Sequence, residues 1–155
     1  MFELGAATAA DLGALGERLG RVLAVGDVIG LIGPLGAGKT TLVQGIARGM
    51  GIAGRNVASP TFALVNEHPG AVPLVHADLY RIEDPRELDE LGLADACDRA
   101  AVAIEWLDRF PEVVPDDHLE IHISVEDAGP RRLAFDARGD RARAVVARLR
   151  SETDL

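Results

Sequence analysis

Val28-Ile29-Gly30-Leu31-Ile32 is an apolar run with Gly26-Asp27 before it and Gly33-Pro34 after it. A short apolar run between turn residues reads as a strand buried on both faces, the kind found in parallel sheets. Ala101-Val102-Ala103-Ile104 repeats the pattern and ends at Glu105; Val72 to Ala77 reads as a strand ending at Asp78. Upstream, Leu12, Leu15, Leu19 and Val22 recur at three- and four-residue spacings, the period of a helix with one buried face, and Thr8 is placed to cap it. A second helix is predicted from Lys39 to Met50, stopped near Gly51, a helical stretch from Glu87 to Arg99, and a closing helix from Asp140 to Arg150. Ala63 to Asn66 reads as a strand and Asn66 to Gly70 as a turn. His118 to Val125 and Arg132 to Asp136 read as a C-terminal antiparallel hairpin turning at Gly129-Pro130. Helices alternating with buried strands predict an α/β fold, a mostly parallel central sheet flanked by helices. With no repeat, linker or low-complexity tract, residues 1–155 are expected to form a single domain.

Gly33-Pro34-Leu35-Gly36-Ala37-Gly38-Lys39-Thr40 fits the P-loop pattern at every fixed position. A loop that wraps a phosphate must turn its backbone N–H groups inward, and glycine tolerates the angles this needs without a Cβ to block the approach. The helix that follows offers free N–H groups and its positive dipole end to the anion. Lys39 can reach the β- and γ-phosphates, and the Thr40 hydroxyl can ligate magnesium. Lys39 is also the only lysine in the chain; every other basic side chain is arginine. A compact ammonium and a broad guanidinium are not interchangeable at a phosphate site, so the exception coincides with the motif that needs it.

Composition narrows the rest. About half the residues are apolar, enough for a core, yet no apolar run approaches the roughly 20 residues of a membrane span. The start at Met1-Phe2-Glu3-Leu4 does not read as a signal peptide. The single cysteine, Cys97, allows no internal disulfide, which fits a reducing cytoplasm. The net charge of −9 makes direct nucleic-acid binding unfavourable, so any nucleic-acid role is expected to run through a partner.

A nucleotide hydrolase also needs an acid for magnesium and a group to orient the attacking water. Asp78 and Glu105 each stand at the end of an apolar strand, where open α/β sheets place their ligand crevice. Both are expected to face the phosphates. Ser59-Pro60-Thr61-Phe62 reads first as an ordinary turn, and second as a switch-like loop whose Ser59 and Thr61 hydroxyls contact a γ-phosphate or its water. The residues leave Trp106 open between core and site edge, and His76 between core and site.

Four segments in order, Gly33 to Thr41, Ser59-Pro60-Thr61-Phe62, His76-Ala77-Asp78-Leu79-Tyr80-Arg81 and Glu105-Trp106, closely resemble the TsaE (YjeE) family of bacterial ATPases. The resemblance covers nearly the whole chain. It implies a P-loop NTPase fold, ATP and Mg2+ as ligands, and a role in forming threonylcarbamoyl-adenosine at position 37 of tRNA. It implies TsaD-like and TsaB-like partners, with tRNA met only through them, and ATP hydrolysis that resets their complex. By motif position, Thr40, Glu105 and Asp78 would serve the metal, with Asp78 the catalytic acid near the water and Glu105 and Lys39 beside it. Gly33, Leu35, Gly36, Ala37, Gly38, Lys39, Thr40 and Thr41 would hold the phosphates, Thr61 would sit in the switch-like loop, and Trp106 beside the nucleotide. Thr8 would approach the adenine side, and either Arg131 or Arg132 would reach the nucleotide. Many members of the family carry Asp where this chain has Pro34, a free position of the P-loop pattern.

Two other readings compete. A small-molecule P-loop kinase usually carries an Arg-rich lid, and the segment from Pro85 to Cys97 is more acidic than basic. A nucleotide-gated binding module with little hydrolysis of its own would keep the cradle. A GTPase is disfavoured, because the chain has no Asn-Lys-x-Asp guanine motif.

Overall fold

The computed structural model describes residues 2–52, 65–127 and 129–153. The elements run β1 (Phe2–Ala6), α1 (Ala9–Val22), β2 (Val28–Ile32), α2 (Lys39–Gly49), β3 (Val65–His68), β4 (Leu74–Asp78), α3 (Leu93–Ala96), β5 (Ala101–Glu105), β6 (His118–Val125), β7 (Arg131–Arg138) and α4 (Asp140–Thr153), with short 3-10 turns between them. The seven strands lie in the order β1-β7-β6-β2-β5-β4-β3. The four central strands, β6, β2, β5 and β4, are parallel, and the antiparallel partners stand outside them. The apolar runs therefore lie where sheet burial demands them: every residue of β4 and β5 is buried.

Alternation along the strands sorts side chains onto two covered faces. Ile29, Leu31, Ala101, Ala103, Ile121 and Leu133 pack under α1, α2 and α4. Val28, Val75, Val102 and Ile104 pack under Leu79, Ile82, Leu93 and Leu107 on the other face. Thr8 caps α1 as expected: its hydroxyl accepts from the Asp11 N–H at 3.1 Å, and the Asp11 carboxylate accepts from the Thr8 N–H at 3.1 Å.

Helix α1 meets α2 backbone to backbone along a seam of glycines. A Cβ on Gly45 would lie 2.2 Å from the Gly13 carbonyl oxygen, and one on Gly20 2.1 Å from that of Ile46. This seam fixes the height of α2, and with it the loop at its N-terminus. Helix propensity alone favours Gly45→Ala by up to about 1 kcal/mol. The clash is with backbone, which cannot turn aside, and overpacking of that kind costs about 1–3 kcal/mol. Gly45→Ala is therefore expected to lower the urea midpoint; an unchanged or raised midpoint would show that the helices can part at no cost.

The structure departs from the expected elements in several places. β1 was not anticipated, because Phe2-Glu3-Leu4-Gly5-Ala6 is too short and mixed to stand out; it is held by its antiparallel pairing with β7. The turn at Asn66–Gly70 starts later, since Asn66 and His68 pair with His76 and Leu74 as part of β3. Ala63 and Leu64 lie outside the described residues. The strand at Val72 begins at Leu74, because Pro73 offers no N–H to the ladder. The stretch from Glu87 to Arg99 is broken in two: a 3-10 turn at Pro85–Leu91, then Gly92 at φ 67°, then the four-residue α3. A residue at positive φ cannot continue a right-handed helix.

Candidate active site

The loop between β2 and α2 carries the P-loop residues. Gly36 and Gly38 have φ of 81° and 106°, angles that strain any residue with a Cβ, and a Cβ on Gly38 would also strike Leu12 at 2.4 Å. Ala37 is fully buried and Leu35 stands exposed at the tip. Gly38 flanks the N-terminus of α2, so the helix dipole points into the loop. Arg131, at the start of β7, donates to the Gly36 and Ala37 carbonyls, each at 3.2 Å, which fixes those peptide planes from outside.

The Lys39 ammonium donates to the Gly33 and Pro34 carbonyls at 2.7 and 2.8 Å and lies 4.0 Å from the centroid of the Trp106 ring. Burial holds it below its ordinary pKa, partly offset by the charges of Glu105, Asp78 and Asp108. Trp106 reaches this position through a left-handed backbone, φ 61°, directly after β5. Its backbone N–H donates to the Leu31 carbonyl at 3.0 Å, and its ring packs tilted against Tyr80 with the centroids 4.8 Å apart. A non-glycine residue at positive φ is a local strain that the surroundings must impose.

Asp78 and Glu105 are paired residues of neighbouring strands, both almost fully buried. Glu105 lies within 3.2 Å of the Thr40 hydroxyl at both carboxylate oxygens. Asp78 accepts from the Tyr80 N–H at 2.9 Å. Leu35, Gly36, Gly38, Lys39, Thr40, Thr41, Asp78, Tyr80, Arg81, Glu105 and Trp106 line one cleft of about 480 Å³. The expected strand-end acids and the loop thus converge.

Among the described residues, four expected site residues, Thr8, Gly33, Ala37 and Arg132, are not among the walls of that cleft. Thr61, with Ser59 and Pro60, lies outside the described residues. Thr8 caps α1 and is not among the cleft's walls, although Leu12 of the same helix contacts Gly38. Of the two arginines left open, Arg131 reaches the loop, while Arg132 pairs with Glu126 at 2.8 Å and Glu3 at 3.7 Å. Alternation separates them: Arg131 shares the face of the buried Leu133 and Phe135, which is the face of α2. Tyr80 and the Arg131 contact were not anticipated.

The model of the family described as threonylcarbamoyl adenosine biosynthesis protein TsaE matches residues 6–133. The chain belongs to the TsaE family. A curated relative from Mycobacterium tuberculosis (strain H37Rv), named tRNA threonylcarbamoyladenosine biosynthesis protein TsaE, is 40% identical over 130 residues, 77% of each chain. One from Nostoc is 44% identical over 124 residues, covering 76% of this chain and 75% of its own. One from Bacillus subtilis is 42% identical over 118 residues, covering 75% and 73%. The crystal structure of YdiB from Bacillus subtilis superposes with a TM-score of 0.80 at 28% identity over 99% of this chain and 96% of its own. The fold is thus the P-loop fold of a TsaE protein, and the protein takes part in threonylcarbamoyladenosine biosynthesis on tRNA.

Trp106 is the only tryptophan, so its emission isolates this cleft. Titration with MgATP is expected to change that emission saturably, because a nucleotide must contest the Lys39–Trp106 contact. Emission that stays constant while nucleotide binds would remove Trp106 from the nucleotide site.

Proposed function

We propose that this TsaE-family chain is a cytoplasmic, single-domain, magnesium-dependent ATPase whose hydrolysis serves a TsaD–TsaB pair in forming threonylcarbamoyl-adenosine at position 37 of tRNA. The observation that carries the reading is the Thr40 hydroxyl held against Glu105 at the mouth of the phosphate loop, with Asp78 beside it. A hydroxyl and two carboxylates are hard oxygen donors of the kind magnesium takes, and Gly36 leaves open space where an anion must approach the backbone. The residues present therefore fit ATP and Mg2+.

Each residue has a distinct task in this reading. The loop N–H groups from Gly36 to Thr41 and the N-terminus of α2 bind the phosphates. Lys39 carries positive charge to the β- and γ-phosphates. Thr40 and Glu105 hold magnesium, which when bound neutralises phosphate charge. Asp78, buried next to Glu105, orients the attacking water and accepts its proton. Trp106 walls the site, and Arg131 keeps the loop in shape from behind. The chain's net charge of −9 leaves tRNA contact to the partner proteins.

The test is ATP turnover by the purified protein with magnesium, scored both for free phosphate and for phosphate transferred to sugar or nucleoside acceptors. Free phosphate alone is expected. Transfer to an acceptor would make the protein a kinase, and binding with no turnover under any condition would leave a nucleotide-gated module.

A further inference from the structure

We propose that His76 is a positioning residue for magnesium: it holds the Glu105 carboxylate in the orientation that serves Thr40 and the metal. The proposal rests on the magnesium-ATPase reading above. His76 stands at the centre of β4, and its side chain has no exposed surface. Its cross-strand neighbour on β5 is Ala103, two residues before Glu105. Alternation puts His76, Asp78, Ala103 and Glu105 on the face beneath α2, and the small Ala103 leaves room for an imidazole to reach diagonally along that face. The ring arrives with Nε2 2.5 Å from Glu105 Oε2.

The chemistry of the contact sets its direction. A carboxylate accepts and cannot donate, so the proton lies on Nε2. Nδ1 has no hydrogen-bond partner among the described residues, which agrees with a lone pair there, since a buried N–H without an acceptor is the costlier arrangement. Glu105 is thus gripped from below by His76 at Oε2 and from α2 by the Thr40 hydroxyl. Without His76 a buried carboxylate loses its one fully buried donor and can rotate away from Thr40. His76 is not among the residues that line the cleft, and the wall residue it bonds is Glu105, so its influence on nucleotide runs through that carboxylate.

Two variants separate positioning from packing. The amide of glutamine reaches about as far as Nε2 and can donate to Glu105; the shorter amide of asparagine cannot. His76→Asn is expected to raise the magnesium concentration for half-maximal ATP turnover on the order of tenfold or more, as for other groups that orient a metal ligand. Affinity for nucleotide in EDTA is expected to stay within about twofold, and His76→Gln is expected to restore most of the magnesium affinity. Half-saturation by magnesium that is unchanged in a folded His76→Asn protein would overturn the proposal. So would equal losses in both variants, or a loss of nucleotide affinity that is as large in EDTA as in magnesium. Wild-type turnover that needs no magnesium would instead overturn the reading beneath it.

Discussion

Lys39→Ala is expected to abolish nucleotide binding measurable by calorimetry. The ammonium is held at the loop by two backbone carbonyls, is 5% exposed, and carries the only charge that the loop itself brings to a phosphate. Truncating one partner of a buried charged pair costs about 2–5 kcal/mol, which is roughly thirty- to several-thousand-fold in affinity. Binding that lies in the micromolar range would move beyond detection. Fold stability is expected to change little, since the carbonyls released belong to Gly33 and Pro34 on a loop open to water. Lys39→Arg is expected to fail as well, because a planar guanidinium does not fit between those carbonyls and the Trp106 ring. Affinity of Lys39→Ala within twofold of wild type would remove the phosphate site from this loop.

Glu105→Gln is expected to separate binding from turnover. The substitution keeps the shape and removes the charge next to Thr40 and Asp78. In the proposed site, nucleotide without magnesium would contact the loop and Lys39, neither of which is altered, so affinity in EDTA is expected to stand or to rise slightly. Magnesium-dependent turnover is expected to fall at least 10–100-fold, the range for groups that hold or orient a metal ligand. Asp78→Asn provides the contrast: turnover is expected to fall while half-saturation by magnesium is kept, because its neighbour and not Asp78 meets Thr40. Equal magnesium half-saturation in wild type and Glu105→Gln would move the metal away from Glu105.

What the sequence made legible follows from how local each signal is. The phosphate loop is contiguous, and its backbone angles demand glycine at Gly36 and Gly38, so residue types alone announced it. Asp78 and Glu105 were legible because a buried run that stops at one acid marks the end of a parallel strand. Their pairing with each other depends on β4 lying beside β5, and neither segment states its neighbour. His76 was ambiguous for the same reason: alternation gives its face, and only the strand order gives Glu105 as its partner. The glycine seam was invisible because Gly13, Gly16 and Gly20 matter only against Gly45 and Gly49 of another helix. The helix expected from Glu87 to Arg99 failed on Gly92, whose positive φ outweighs the helical character around it. Arg131 could have been separated from Arg132 by its alternation with Leu133 and Phe135.

The central claim, that hydrolysis here is coupled to a tRNA-modifying complex, is tested most directly by one comparison. Magnesium-dependent ATP turnover is measured for the protein alone and with a purified TsaD–TsaB pair from the same organism, with Glu105→Gln alongside. The expected result is low turnover alone and strong stimulation by the pair, absent in the variant. Turnover that is indifferent to the pair, with the nucleotide still bound, would leave the phosphate site intact and contradict the coupling.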